Sequence, residues 1–242
     1  MKKILIVQFR TDATWEHEQS CFHQDFEDLW EQFEFVDAVR DTEKLEKIGN
    51  SLKLGTSYAG IIFGGSSEFN YTKGDAEKDW CKKTFDFIQK ILESKTPLLG
   101  ICFGFQTIAL QQGAKIVDDL TMREAGTYVS YVTDIGQNDP IFKNIPQKFL
   151  AQFGHKDTII NFPEQFEKLG YSERVMCNAF RIKGENVWGV LFHPELNPDR
   201  MRFRLQFSPS YVDGMEVDNV FENLEESPYA LDVLKNFIEY CL

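Results

Sequence analysis

The chain has 242 residues, of which 43% are apolar and 14% aromatic, and its formal net charge at pH 7 is −12. This length suffices for one large α/β domain, and the acidity argues against binding to nucleic acid or to an anionic membrane, since the densest basic segment, residues 201–204, is short. The five cysteines form no C-x-x-C pair, which predicts reduced thiols in a cytoplasmic protein without disulfides or zinc. The first apolar run is too short for a signal peptide, and no stretch reaches membrane-spanning length.

Strand-like and helix-like runs alternate through the first half of the chain. We predict strands over residues 3–9, 34–39, 58–63 and 98–101, and helices over 15–33, 75–92 and 103–113. Strands that alternate with helices predict an α/β fold with a mostly parallel sheet and helices on both faces.

The second half is richer in strands joined by short links. We predict strands over 125–135, 149–153, 175–182 and 187–192, with a hairpin turn at 183–186, and a last helix over 229–240. Residues 197–227 mix proline, charges and aromatics, and are interpreted as a lid, an insertion or an interface element. The whole chain, 1–242, is therefore predicted to be a single domain, a parallel core with a small antiparallel extension.

One cysteine stands at a strand-to-helix junction. Cys102 follows the apolar run 98–101, and Gly100 and Gly104 lie two residues to either side of it. This spacing is typical of a nucleophile elbow, the sharp turn that presents a reactive side chain above an α/β sheet. A thiol at the beginning of a helix also meets a partial positive charge that favours the thiolate.

A nucleophilic cysteine needs a base and a group that orients the base. Among the four histidines, His193 follows an apolar strand directly, and Glu195 stands two residues further on. Sites in parallel sheets collect at the carboxyl ends of strands, where both Cys102 and His193 are predicted to lie. The pattern therefore predicts a Cys102–His193–Glu195 triad.

The motifs Gly100-Ile-Cys-Phe-Gly-Phe-Gln106 and Phe192-His-Pro-Glu195 resemble the two signatures of class I glutamine amidotransferases, in the stand-alone branch similar to the amidotransferase domain of GMP synthase. The resemblance implies a flavodoxin-like fold. It also implies a Cys102 nucleophile that forms a γ-glutamyl thioester from the glutamine side chain, with His193 as base and acid, Glu195 as its partner, and glutamate and ammonia as products.

The resemblance assigns further residues. The backbone N–H groups of Gly65 and Phe103 are expected to form the oxyanion hole, although Ser66 stands where many members have proline. Gln106 is expected to hold the substrate. His155 and Asp157 lie in a stretch expected to meet its α-amino and α-carboxyl end.

No cofactor and no metal is implied. No synthetase domain follows in this sequence, so ammonia would pass to a separate synthetase subunit or be released. Two alternatives remain open at this point. The first is a γ-glutamyl peptidase or hydrolase that acts on a larger γ-glutamyl compound, and the second is a non-catalytic binding protein on the same scaffold.

Overall fold

A nine-stranded sheet forms the centre of the fold. The structure, a computed structural model, describes residues 2–52, 58–207, 212 and 217–242, except for the side chains of residues 217 and 218. In this part of the chain the strands are β1 (Lys3–Gln8), β2 (Phe33–Asp37), β3 (Tyr58–Phe63), β4 (Leu98–Ile101), β5 (Lys115–Asp118), β6 (Glu124–Val132), β7 (Lys148–His155), β8 (Asp157–Asn161), β9 (Phe166–Tyr171), β10 (Ala179–Ile182) and β11 (Val187–Val190). The α-helices are α1 (Thr14–Asp25), α2 (Thr42–Ser51), α3 (Asp79–Ser94), α4 (Phe103–Gln111), α5 (Pro198–Phe207), α6 (Val217–Glu222) and α7 (Pro228–Cys241).

The strand order of the large sheet is β2-β1-β3-β4-β11-β10-β9-β6-β7. Neighbours from β2 to β11 pair in parallel, and neighbours from β11 to β7 pair antiparallel. Strands β5 and β8 form a separate antiparallel pair. The predicted α/β class, a parallel core with an antiparallel extension, is thus confirmed, and β11 joins the two parts because it pairs in both ways.

Alternate residues of β1 face opposite layers of the core. Leu5 and Val7 belong to one apolar cluster, which includes residues of α2, α3 and α4, whereas Ile4 and Ile6 belong to a second cluster with residues of α1 and α7. This two-residue alternation buries the strand on both faces, as a helix-covered parallel sheet requires.

Several predicted boundaries are wrong. The helix over 15–33 ends at Asp25, because Phe26 leaves the helical conformation and a 3₁₀ turn leads into β2. The helix over 75–92 begins only at Asp79, after Gly74 at a φ of 90° and a short 3₁₀ turn. The strands predicted over 125–135, 175–182 and 187–192 extend only over 124–132, 179–182 and 187–190.

Among the described residues outside the segment 197–227, four labelled elements were missed, namely α2, β5, β8 and β9. Helix α2 has only two large apolar side chains that are buried, Leu45 and Ile48, so its periodic signal is weak, although Asp41 caps its first turn. In the segment 197–227, the structure describes α5 and α6, while residues 208–211 and 213–216 lie outside the described residues. No helix among the described residues is long and apolar enough to span a membrane.

Candidate active site

Cys102 occupies a strained turn between β4 and α4. Its φ and ψ are 50° and −98°, and positive φ is uncommon for a residue other than glycine. The two flanking glycines allow this turn by close packing. A Cβ on Gly100 would lie 2.6 Å from the backbone of Gly104, and a Cβ on Gly104 would lie 2.5 Å from the carbonyl oxygen of Phe63. The nucleophile elbow expected from the glycine spacing is therefore present in the backbone.

The thiol of Cys102 lies inside the fold, with the residue only 3% exposed. Its sulfur is 3.5 Å from the carbonyl oxygen of Gly154, near the end of β7. The backbone N–H of Cys102 donates to Val190, the last residue of β11, so the elbow is fixed to the strand that leads to His193.

His193 and Glu195 form a buried pair just beyond the end of β11. The backbone N–H of His193 donates to the carbonyl oxygen of Gln152 on β7 at 2.8 Å, which fixes the chain as it leaves the sheet. Nδ1 of His193 is 2.8 Å from Oε1 of Glu195. The second oxygen of Glu195 is buried and has no hydrogen-bond partner among the described residues.

The two side chains hold each other in their charged forms. Burial by itself lowers the pKa of His193, but the Glu195 carboxylate and the Cys102 sulfur outweigh it and raise that pKa from 6.5 to about 9. Burial raises the pKa of Glu195, but the charge of His193 and the hydrogen bond to it lower that pKa from 4.5 to about 2. At neutral pH His193 is therefore an imidazolium and Glu195 a carboxylate. The Cys102 sulfur is close enough to His193 to affect its pKa.

The loop after β3 lies against this imidazole. A Cβ on Gly65 would be 2.7 Å from Cε1 of His193 and 2.8 Å from Nη2 of Arg10, so only glycine fits without a shift of these groups. The carbonyl oxygen of Gly64 accepts from the N–H of Gly104, which ties this loop to the first turn of α4. Gly65 and Phe103 are thus brought to the same end of the sheet as His193.

The predicted substrate residues also come together, but their side chains contact protein groups. Nε2 of Gln106 donates to the backbone carbonyl of Asp157 at 2.9 Å. The Asp157 carboxylate accepts from the N–H and the hydroxyl of Thr72 at 3.2 Å and 2.6 Å. Nε2 of His155 is 3.1 Å from the carboxylate of Glu124. All three predicted residues are buried, and their contact with a substrate stays a prediction.

A small cavity lies beside His193, with a volume of about 20 Å³. The cavity is lined by residues from five places: the segment after β1, the loop after β3, β7, the segment between β11 and α5, and α5 itself. These residues are Arg10, Ser66, Ser67, Gly154, His193, Leu196, Met201, Arg204 and Leu205. The sequence interpretation missed the two arginines. Arg10 could have been found, because it stands just after a strand of the parallel sheet, where sites collect. Arg204 was noted only as part of a short basic segment.

No group of three or more histidine, cysteine or acidic side chains in the described residues is arranged to hold a metal ion. All five cysteines are free thiols. The chemical groups that the site offers are therefore a cysteine at a strained turn, a buried imidazolium–carboxylate pair and two arginines.

The fold and the site are typical of α/β proteins with a nucleophile elbow. The sheet is mostly parallel, a cysteine occupies the elbow, and a histidine–glutamate pair follows a neighbouring strand. A family described as glutamine amidotransferase class-I matches residues 28–208. The chain belongs to this family.

Two relatives that are similar in sequence to this chain are described as GMP synthases or their subunits. It is 32% identical to one of the subunits of a glutamine-hydrolysing GMP synthase from Methanocaldococcus jannaschii over 158 residues, which are 65% of this chain and 73% of that one. It is 37% identical to a glutamine-hydrolysing GMP synthase from Porphyromonas gingivalis over 137 residues, which are 57% of this chain but only 25% of that one. The chain therefore matches a small part of such long relatives and most of the Methanocaldococcus protein.

Solved structures share the fold over the full chain. A glutamine amidotransferase from Thermotoga maritima has a TM-score of 0.72 at 19% identity, with 100% of this chain and 98% of that one covered. A protein from Thermoplasma acidophilum that is described as a GMP synthase subunit has a TM-score of 0.67 at 22% identity, with 100% and 94% covered. These likenesses support the fold described above.

Proposed function

We propose that this protein hydrolyses the side-chain amide of glutamine, with Cys102 as nucleophile, His193 as acid and base, and Glu195 as the partner of His193. The observation that carries the proposal is the strained turn of Cys102 beside the buried His193–Glu195 pair. The imidazolium stabilises a neighbouring thiolate, and the thiolate is the nucleophilic form of cysteine.

The reaction follows from these groups. The Cys102 thiolate attacks the side-chain carbonyl carbon of glutamine, and the carbonyl oxygen becomes an oxyanion. His193 then donates its proton to the amide nitrogen, the C–N bond breaks, and ammonia leaves a γ-glutamyl thioester on Cys102. Water attacks the thioester while His193 takes its proton, the C–S bond breaks, and glutamate is released with the thiolate restored.

The oxyanion is held by the backbone N–H groups of Gly65 and Phe103 in this proposal. Both residues lie beside the reacting pair, and Phe103 is the first residue of α4, whose initial N–H groups have no partner within the helix. Two such donors and the positive end of a helix stabilise a developing negative charge. In this proposal Gln106 helps to hold the substrate, and His155 and Asp157 meet its α-amino and α-carboxyl end.

The fate of the ammonia is inferred from the relatives. The Methanocaldococcus protein is named as one subunit of a GMP synthase. A separate synthetase subunit is accordingly the partner that we propose for this chain, with glutamine as the small-molecule substrate. The free thiols fit a reducing compartment, and we propose a cytoplasmic location.

A second candidate is the hydrolysis of a larger γ-glutamyl amide by the same groups. It is favoured by one observation, the cavity beside His193 with its two arginines. Released ammonia needs no cationic pocket, whereas a leaving group with a negative charge would be bound by one.

The experiment compares the wild type with Cys102→Ala and the matched control Cys177→Ala, since Cys177 is a buried thiol of the core. Glutamate and ammonia are measured with glutamine as substrate, and labelling of Cys102 by 6-diazo-5-oxo-L-norleucine is followed by mass spectrometry. We expect Cys102→Ala to lose all activity and labelling, and Cys177→Ala to keep both. Activity of Cys102→Ala near that of the wild type, or a folded wild type that neither hydrolyses glutamine nor is labelled, contradicts the proposal.

A further inference from the structure

The cavity beside His193 contains a buried guanidinium with unused donors. Arg204, on α5, is 7% exposed and lines the cavity. Its Nε donates to Nδ1 of His17 at 2.7 Å, but Nη1 and Nη2 are buried and have no hydrogen-bond partner among the described residues. A buried charge without a partner is strongly unfavourable, so this side chain is arranged to meet a group that supplies acceptors.

No carboxylate of the described residues neutralises Arg204 by direct contact. Burial and, after it, the charge of Arg204 lower the pKa of His17 from 6.5 to about 4, so the histidine that accepts from Arg204 is neutral at pH 7. Glu18 and Glu195 act on Arg204 electrostatically, but Glu18 is bound to Arg10 and Glu195 to His193. Both nearby acids are thus already paired.

Arg10 adds a second guanidinium to the lining of the cavity. It is 2% exposed, and its Nε is 3.2 Å from Glu18. Its Nη1 donates to the hydroxyls of Thr14 and Ser67 at 3.1 Å and 3.4 Å, and its Nη2 lies against Gly65, next to the imidazole. Burial and, to a smaller extent, the charge of Arg10 lower the pKa of Arg204. Two guanidinium groups therefore line the cavity, and the carboxylate of Glu18 is bound to the guanidinium of Arg10 and not to that of Arg204.

The residues that line this cavity identify the part of a substrate that would enter it. The acid that protonates a leaving nitrogen stands beside that nitrogen, and in the proposed function this acid is His193. Gln106, His155 and Asp157 do not line the cavity, which contains His193, Gly154 and the two arginines instead. A substituent on the leaving nitrogen would extend past His193 into this space.

We propose that Arg204, together with Arg10, forms a carboxylate subsite for the leaving group, so that γ-glutamyl amides of small amino acids are substrates in addition to glutamine and are preferred to analogues without that carboxylate. The planar guanidinium of Arg204 offers two parallel N–H donors, the arrangement that binds a carboxylate in a bidentate manner. The volume of about 20 Å³, with Leu196, Met201 and Leu205 as apolar walls, is the size of one small group such as a carboxylate, so the substituent that carries this group must be short, as in glycine. This inference rests on the proposed thioester chemistry and defines its substrate class.

The bonds that form and break are the same as in the hydrolysis of glutamine, with glycine in place of ammonia. The thiolate of Cys102 displaces the amine of glycine from the γ-carbonyl, and His193 donates the proton that this amine carries away. Water then releases glutamate from the thioester. The carboxylate of the leaving glycine stays ionised throughout and contacts only the arginines.

The test compares four substrates that differ in one group each: γ-glutamylglycine, γ-glutamylglycinamide, γ-glutamylglycine with its glutamyl α-carboxylate converted to an amide, and glutamine. For the wild type, we expect kcat/KM to be at least about tenfold higher for γ-glutamylglycine than for γ-glutamylglycinamide, because a charge-assisted hydrogen-bonded pair is lost in the second. Arg204→Met should remove this preference, and Arg204→Lys should restore part of it because the charge remains.

The matched control is Arg202→Met, on the same helix, whose side chain is exposed and contacts Phe221. This variant should keep the wild-type preference. Thermal unfolding of each variant shows whether it is folded, and the ratio of the two kcat/KM values is insensitive to the fraction of active protein.

Three results would overturn the inference while leaving the proposed function intact. One is hydrolysis of glutamine with equal kcat/KM for γ-glutamylglycine and its amide. Another is an Arg204→Met variant that slows all four substrates by the same factor, which is the signature of a structural role. The third is a preference removed by Arg204→Met that follows the glutamyl α-carboxylate instead of the glycine carboxylate. Failure of all four substrates, without labelling of Cys102, instead refutes the proposed function itself.

Discussion

The role of Glu195 can be tested with one isosteric substitution, Glu195→Gln. The wild-type carboxylate is 2.8 Å from Nδ1 of His193 and is a main cause of the rise of the His193 pKa to about 9. Without this charge, burial dominates, and we expect the pKa to fall to its ordinary value of 6.5 or lower. The difference corresponds to about 3 kcal/mol of stabilisation of the protonated ring.

This loss should reduce the reactivity of Cys102. At pH 7 the wild-type ring is protonated, whereas the ring of the variant is mostly neutral and no longer stabilises the thiolate. A free energy of about 3 kcal/mol is roughly a hundredfold in population, so we expect the rate of Cys102 alkylation at pH 7 to fall by about ten- to a hundredfold.

The assay measures the second-order rate of iodoacetamide modification between pH 5 and 10, with the Cys102 peptide quantified by mass spectrometry. Glu226→Gln, the same substitution at an exposed position, is the matched control and should behave as the wild type. The reasoning is refuted if the rate for Glu195→Gln stays within twofold of the wild type at every pH while the variant remains folded.

Two further predictions concern the elbow and the stability of the site. Gly100→Ala places a Cβ 2.6 Å from the backbone of Gly104, so we expect a loss of about 1–3 kcal/mol or more in the free energy of unfolding, measured in urea, and an unchanged midpoint would contradict the proposed packing. Because the folded pKa of His193 lies above 6.5, its contribution to stability is complete below pH 6.5 and is lost as the pH rises through 9. The melting temperature of the wild type should therefore decrease between pH 6.5 and 9.5 more than that of His193→Gln, and parallel curves for the two proteins would show that this pKa is not raised.

The sequence predicted best the segment in which neighbouring residues restrict the backbone conformation most. A cysteine between glycines two residues away on either side predicts a tight strand-to-helix turn, and the structure places Cys102 in such a turn. Because the carboxyl ends of parallel strands share one edge of a sheet, His193 and Cys102 were expected at the same edge although roughly ninety residues separate them. The strand pairing of β4 with β11 accounts for this meeting.

Helices and strands with a weak apolar pattern were not predicted from the sequence. Helix α2 buries few large side chains, and β5 and β8 are short strands that form a pair of their own. The Trp15 to Phe33 region carries apolar residues throughout because both its helix and the following turn pack on one cluster, so the apolar pattern did not show where the helix ends. Tertiary packing, rather than local propensity, sets such boundaries.

The sequence alone was sufficient to predict the tight turn at Cys102, the α/β class with a mostly parallel sheet, and the family to which the paired motifs belong. The charges that surround this turn could be found only from the folded chain. Arg10 and Arg204 stand near opposite ends of the chain, and nothing local to either predicts that they line one cavity. The electrostatic potential in a cavity depends on which side chains surround it in the folded chain. Whether a buried guanidinium has partners is therefore set by how distant segments pack together.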